Sequence, residues 1–195
     1  MENSSLLSAI RACTECQQEL PHGCRPVLTI PSTATIAIIG QAPGKKVHET
    51  GIPWNDASGK QLRKWMGITD EVFYHSPKIA IVPMGFCYPG KGKSGDLPPQ
   101  KQCAPLWHNQ IWEHLPNIKT KILIGKYAQN YYLPNNGFRT LTENVRQFRQ
   151  FAPEIFPLPH PSPRNRFWLT KNPWFEQETL VAFQEYLASY ELDKV

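Results

Sequence analysis

The sequence predicts a three-layer α/β/α sandwich around a central, mostly parallel four-stranded sheet. Three observations carry that expectation. Short β-branched runs recur along the chain, each ends at a Gly or Pro, and helical periodicity lies between them. Continuous apolar runs of this kind are what strands buried on both faces look like. The first is Thr35 to Ile39, bounded by Pro31-Ser32 and Gly40. Lys60 to Gly67 follows as a helix, with Leu62, Trp65 and Met66 at helical spacing and Asp56 or Ser58 as its N-cap. Lys78 to Met84 reads as the second strand and Gln100 to Leu115 as a helix through Cys103, Leu106, Trp107 and Ile111. Lys121 to Gly125 is the third strand, and Lys126 to Tyr132 begins a helix directly after it. Ile155 to Pro159 is a short fourth strand running into His160. Pro173 to Leu192 closes the chain as an amphipathic helix carrying Phe175, Leu180, Phe183 and Leu187 on one side. No repeat or linker divides the 195 residues, so one domain over 1–195 is expected.

Composition narrows the class without selecting a ligand. A net charge of +5 leans only mildly towards polyanions. No apolar run approaches the roughly 18 residues of a membrane span. The polar, acidic start Met1-Glu-Asn-Ser-Ser is unlike a signal peptide, so a cytoplasmic protein with no membrane partner is expected, as a monomer. Five cysteines are an odd number, and a reducing compartment disfavours disulfides. Metal ligation or simple burial must account for them.

In parallel sheets ligands sit beyond the carboxyl ends of the strands. Gly40 to Gly44, Cys87 to Gly95 and His160 to Asn165 all fall there. Gly40-Gln41-Ala42-Pro43-Gly44 is neither a dinucleotide fingerprint nor a Walker loop. It is followed by Gly51-Ile-Pro-Trp-Asn-Asp-Ala-Ser-Gly59. There Trp54 offers a flat face for a planar heterocycle, and Asp56 is either a helix cap or a free carboxylate. His160-Pro-Ser-Pro-Arg-Asn165 opens a loop stiffened by two prolines. Cys13-Thr-Glu-Cys16 is a close pair, Cys87 ends the second strand, and Cys103 stands in the next helix. Together these four would make a site for zinc or an iron–sulfur cluster; spacing does not choose between them.

The Gly-Gln-Ala-Pro-Gly loop, the Gly-x-Pro-aromatic segment and the His-Pro-Ser-Pro loop, in this order, resemble the uracil-DNA glycosylase superfamily. Cys13, Cys16, Cys87 and Cys103 resemble the layout of its iron–sulfur members, family four. Cys24 has no counterpart in that pattern. The resemblance implies a DNA glycosylase of base-excision repair, hydrolysing the N-glycosidic bond of a flipped uracil or other deaminated base in DNA. Its implied cofactor is a [4Fe–4S] cluster at the four cysteines, with zinc as the alternative. It implies Asp56 and His160 as catalytic groups, the first acting on water and the second on the departing base. The base would meet Gly40, Gln41, Ala42, Pro43, Gly44, Trp54 and backbone near Gly85. Ser162, Arg164 and Asn165 would contact DNA, with Arg164 as the wedge that holds the vacated stack.

The chain also departs from the pattern. Family four carries Glu where Gln41 stands, and the members that share this Gln follow it with Asp where Ala42 stands. The carboxylate is then expected from Asp56, whose Asp-Ala-Ser-Gly setting resembles family five. The Asn that usually ends the second strand and pairs with uracil is replaced by Pro83. Two other readings therefore stay open. One is a catalytically inactive DNA- or base-binding protein of the same fold. The other is a small-molecule enzyme with structural zinc.

Overall fold

The computed structural model describes residues 5–135, 137, 138 and 140–193. The polar stretch 1–4, read above as unlike a signal peptide, lies outside the described residues. Four parallel strands form the central sheet: β1 (Ile36–Ile39), β2 (Ile79–Ile81), β5 (Thr120–Ile124) and β6 (Ile155–Leu158), in the order β2-β1-β5-β6. β3 (Lys91–Gly92) and β4 (Gly95–Asp96) form a separate antiparallel hairpin. The chain leaves β1 towards β2 on one side and returns as β5 on the other. That reversal opens a crevice at the carboxyl ends, where ligands bind in sheets of this type.

Alternation along the strands builds the two outer layers. Ile36, Ile38, Ile79, Ile81, Ile122, Ile124, Phe156 and Leu158 face one cluster, packed by α3 (Ala57–Met66), α7 (Leu141–Arg146) and α9 (Leu180–Ala188). Ala37, Ala80 and Val82 face the other, packed by α1 (Ser5–Arg11) and α5 (Cys103–His114). Leu123 and Ile39 extend that second face towards α6 (Gly125–Tyr132). The expected strands are all present, and each lies within or one residue beyond its expected bounds. β2 is shortened because Pro83, two residues on, has no N–H for a ladder. Pro157 is tolerated inside β6 because β6 is an edge strand. The closing helix differs from expectation: a π turn over Phe175–Thr179 precedes α9, which ends at Ala188. Phe175, Leu180, Phe183 and Leu187 are nonetheless all buried. Short helices α2 (Lys45–Thr50), α4 (Asp70–His75) and α8 (Arg166–Lys171) were not expected from periodicity, being too short to show one.

No helix among the described residues is long and apolar enough to cross a membrane. The most deeply buried titratable group on the second face is His108 of α5, fully enclosed. Its Nε2 lies 3.1 Å from the Pro83 carbonyl, which can only accept, so Nε2 carries the proton and Nδ1 accepts from the Tyr132 hydroxyl. Burial lowers its pKa from 6.5 to about 4. The unfolded chain therefore binds this proton at a higher pH than the folded one, and stability rises with pH between those values. Taking the protein from pH 7 to pH 4 should lower its urea midpoint, His108 alone contributing about 3 kcal/mol. His108→Gln should flatten that dependence over the same range.

Candidate functional site

Trp54 is placed by its own carbonyl. Its backbone sits at φ 55, a left-handed conformation that bulky residues seldom adopt. Arg63 Nη1 and the Tyr74 hydroxyl each donate to Trp54 O at 3.2 Å. Arg63 is a buried cation (7% exposed), and its Nε bonds Asp70 at 2.7 Å while its guanidinium lies over the Phe73 and Tyr74 rings. These contacts come from α3 and α4, which meet at Gly67 in a left-handed cap. Gly59 lets α3 pass beneath that carbonyl, since a Cβ there would come within 1.7 Å of Trp54 O. The indole in turn lies against Gly40, where a Cβ would meet it at 2.8 Å. Two of the glycines that mark the motif loops are therefore spaces for one tryptophan.

Asp56 is the N-cap of α3, as the sequence allowed. Its Oδ1 accepts from Gly59 N–H at 2.8 Å. Capping occupies only that oxygen, and Oδ2 faces the slot beside Gly44. His160 follows β6 and packs against the tight turn at Gly125, whose positive φ favours glycine. The His160 ring lies 5.9 Å from Trp54, tilted by 36°. Asn165 fixes it from behind by donating to the His160 carbonyl at 2.7 Å. Burial lowers the His160 pKa, against a smaller opposing pull from Asp56. Its imidazole is therefore neutral at pH 7.

One slot of about 490 Å³ is lined by Gly40 to Gly44, Trp54, Asp56, His160, Ser162, Arg164 and Asn165. This volume suits a nucleoside-sized ligand. Gly85, expected in the slot, faces the other way and lines the cysteine cavity, because its N–H is drawn to Gln41 O at 3.0 Å. Pro83 is the residue of this stretch that reaches the slot. The Gly40 carbonyl likewise accepts from Met84 N–H. In trans peptides the N–H groups of Gln41 and Ala42 then point away from β2. The Gln41 side chain is engaged by Leu97 O at 3.1 Å. Arg164, expected as a wedge, bonds Ser94 O at 2.6 Å and ties the β3–β4 hairpin across the slot mouth. Ser162 caps its own turn by accepting from Arg164 N–H.

The loop Cys87 to Gly95 was expected at this edge, but its hairpin form and its slot-lining side chains were not. Lys91, Ser94, Gly95 and Asp96 line the slot, yet the two strands are only two residues each and carry no periodicity. The one local signal was the Gly-Lys-Gly-Lys-Ser-Gly-Asp composition of a turn. Burial raises the Asp96 pKa, and the Asp56 charge adds to this against the Tyr88 hydroxyl and Arg164.

Cys13, Cys16, Cys24, Cys87 and Cys103 all line one small cavity on the other side of the β2 end. All five are free thiols. Burial pushes Cys87 and Cys103 up to about 12, with each of the other thiols adding to one or both. Phe86 N–H reaches Cys103 Sγ at 3.4 Å, and the Arg25 backbone N–H lies near Cys87. Trp107, which lines the same cavity, has a buried indole N–H without a partner. Backbone donors aimed at sulfur, and an orphaned donor nearby, suit thiolates around an electron-rich group. Among the described residues no three donors converge on one ion. An all-sulfur donor set of this kind fits a thiolate-bound zinc or iron–sulfur group.

The chain matches the sequence model of the Uracil DNA glycosylase superfamily over residues 28–184. Cys13, Cys16 and Cys24 precede that match. Among solved structures it is similar to the solution NMR structure of a "putative Uracil DNA glycosylase" from Methanosarcina acetivorans. The two are 16% identical with a TM-score of 0.46, over 82% of this chain and 94% of that one.

The Trp54 mooring is testable. Gly59→Ala must displace a backbone carbonyl, and a thermal or urea melt should show a loss of at least about 1–3 kcal/mol. Arg63→Met keeps the volume but removes the charge and one bond to Trp54 O. A loss of about 1–3 kcal/mol is expected, together with a changed tryptophan fluorescence spectrum.

Proposed function

The chain belongs to the uracil DNA glycosylase superfamily, and from that premise we propose that it is a DNA glycosylase that hydrolyses the bond between a deaminated base and its deoxyribose. The observation that carries this reading is the meeting of Trp54, Asp56 and His160 on one slot of nucleoside size. A base inside a duplex cannot reach such a slot, so the nucleotide is everted into it. Trp54 forms the wall against the base, and the N–H groups of Gln41 and Ala42, which point away from β2, meet its acceptor oxygens in this reading. Asp56 uses its free oxygen to orient water and to offset positive charge developing on the sugar. The N-glycosidic electron pair leaves with the base, and neutral His160 donates an N–H to the oxygen where that charge collects. Pro83 offers no amide to a pyrimidine edge, so selectivity for uracil over hypoxanthine or xanthine rests on the remaining wall. Lys91, Arg164 and Arg166 supply the cationic rim for phosphates.

We also propose that Cys13, Cys16, Cys87 and Cys103 hold a [4Fe–4S] cluster, with Cys24 beside it. When bound, the cluster cross-links the N-terminal segment to the end of β2. The bond cleavage proceeds without it.

Oligonucleotides carrying uracil, hypoxanthine or xanthine, incubated with the protein and treated with alkali, should break at one or more of these bases. Asp56→Asn and His160→Ala should each slow that breakage by about 10² to 10⁴-fold. Parental rates in both would remove the assignment, and binding without cleavage by the parent would favour the inactive base-binding alternative. Because burial lowers His160, the neutral form persists below the usual histidine range, and its acid limb in the rate profile should lie below pH 6.5. Binding should weaken with salt, each phosphate contact adding roughly 0.9 to the log–log slope for duplex DNA.

Anaerobically purified protein should be brown and contain iron and sulfide. Colourless protein with stoichiometric zinc would support the alternative metal. Chelation or oxidation of the cluster should expose residues 5–30 to limited proteolysis before the sheet.

A further inference from the structure

Gly44 is a glycine for no conformational reason. Its φ of −81 and ψ of 174 are open to any residue. A Cβ built on it would lie 3.4 Å from Asp96 Oδ2 and 3.8 Å from Asp56 Oδ2, and apart from its chain neighbours nothing else lies within 4 Å. The missing side chain thus leaves a notch, within the slot, bounded by one oxygen from each of two carboxylates. Those distances leave room for a water-sized atom, which a small shift brings into hydrogen-bond range of both.

Both carboxylates sit on elements that are held in place. Asp56 gives its other oxygen to Gly59 N–H. Asp96 lies beside the hydroxyl of Tyr88, a buried side chain. The hairpin that carries Asp96 is held by Arg164 on Ser94 O and by Gln41 on Leu97 O. Two acids on separate elements are thereby fixed towards one small space. An accidental surface approach would leave them free to turn apart under their mutual repulsion.

We propose that Asp96 is a second catalytic carboxylate of this slot: with Asp56 it takes the two hydrogens of the attacking water, held in the notch that Gly44 leaves open. The inference rests on the glycosylase reading and deepens it. A water donating to two fixed acceptors has its lone pair directed outwards, towards the sugar. Its oxygen bonds C1′ as the C1′–N bond breaks. One of its protons passes to Asp56 and later to solvent, and the bonding pair leaves on the base, which takes a proton from solvent in turn. Asp96 accepts a hydrogen bond throughout and returns to its starting state unchanged. A carboxyl oxygen can accept in either protonation state, so the role survives the upward push that burial gives this acid.

The test is single-turnover excision from the oligonucleotide panel by the parent, Gly44→Ala, Asp96→Ala and Asp96→Asn. Binding to the same strand carrying a tetrahydrofuran abasic analogue and thermal melting are measured alongside. Gly44→Ala should melt like the parent and bind the analogue within about twofold, yet excise about 10- to 100-fold more slowly because its methyl fills the notch. Asp96→Ala should be slowed similarly, and Asp96→Asn less, because its amide oxygen still accepts. If the parent excises a base and either alanine variant keeps the parental rate, the proposal fails while the glycosylase reading stands. If Asp96→Ala melts below the parent, Asp96→Asn decides: slower excision at unchanged analogue binding supports the role, and the parental rate ends it. A parent that excises no base overturns both.

Discussion

The site hangs on a hydrogen bond between a buried guanidinium and a tryptophan carbonyl. A bulky residue in the left-handed region is unfavourable and persists only where its surroundings over-determine it. Here Arg63 and Tyr74 both hold Trp54 O, and Gly59 opens the space beneath. Burying the charge is itself unfavourable, and it is offset by the exposed Asp70 and by two aromatic faces. The same backbone twist that points the indole over Gly40 brings Asp56, two residues on, to the head of α3. Wall and carboxylate are therefore positioned by one constraint.

A second dependence runs through the stretch from Pro83 to Tyr88. Its one side meets the slot through Pro83, and its other side meets the cysteine cavity through Gly85, Phe86 and Cys87. His108 grips the Pro83 carbonyl, and Gln41 O grips Gly85 N–H. Tyr88, at its end, lies beside Asp96. A group that tied Cys87 and Cys103 to the N-terminal cysteines would stiffen this partition without entering the slot.

The slot mouth is closed on one side by a hairpin and on the other by the Pro-stiffened loop, with Arg164 joining them. A cation engaged by Ser94 O, and held near Asp96, is less available to enter a base stack than an unbound side chain would be. Arg164 thus links the hairpin to the Pro-stiffened loop, and Asn165 performs the parallel task for His160 by holding its backbone.

Local sequence determined the strands, because β-branched runs buried on both faces have no other stable use, and it determined Asp56 as a cap and the three loops as strand-end loops. It also brought Trp54, Asp56 and His160 under suspicion, because those residue types stood at loop positions with special backbone chemistry. Tertiary structure alone decided which way each group faces. Gly85 turned from the slot because a neighbouring carbonyl claimed its N–H. Cys24 joined the other four cysteines because the N-terminal segment doubles back across the end of β2. Asp96 and Arg63 left no local trace, since one lies on a two-residue strand and the other reads as an ordinary helix-surface cation. Their roles come from contacts with residues far along the chain or on another element, and periodicity within a single segment does not encode such contacts.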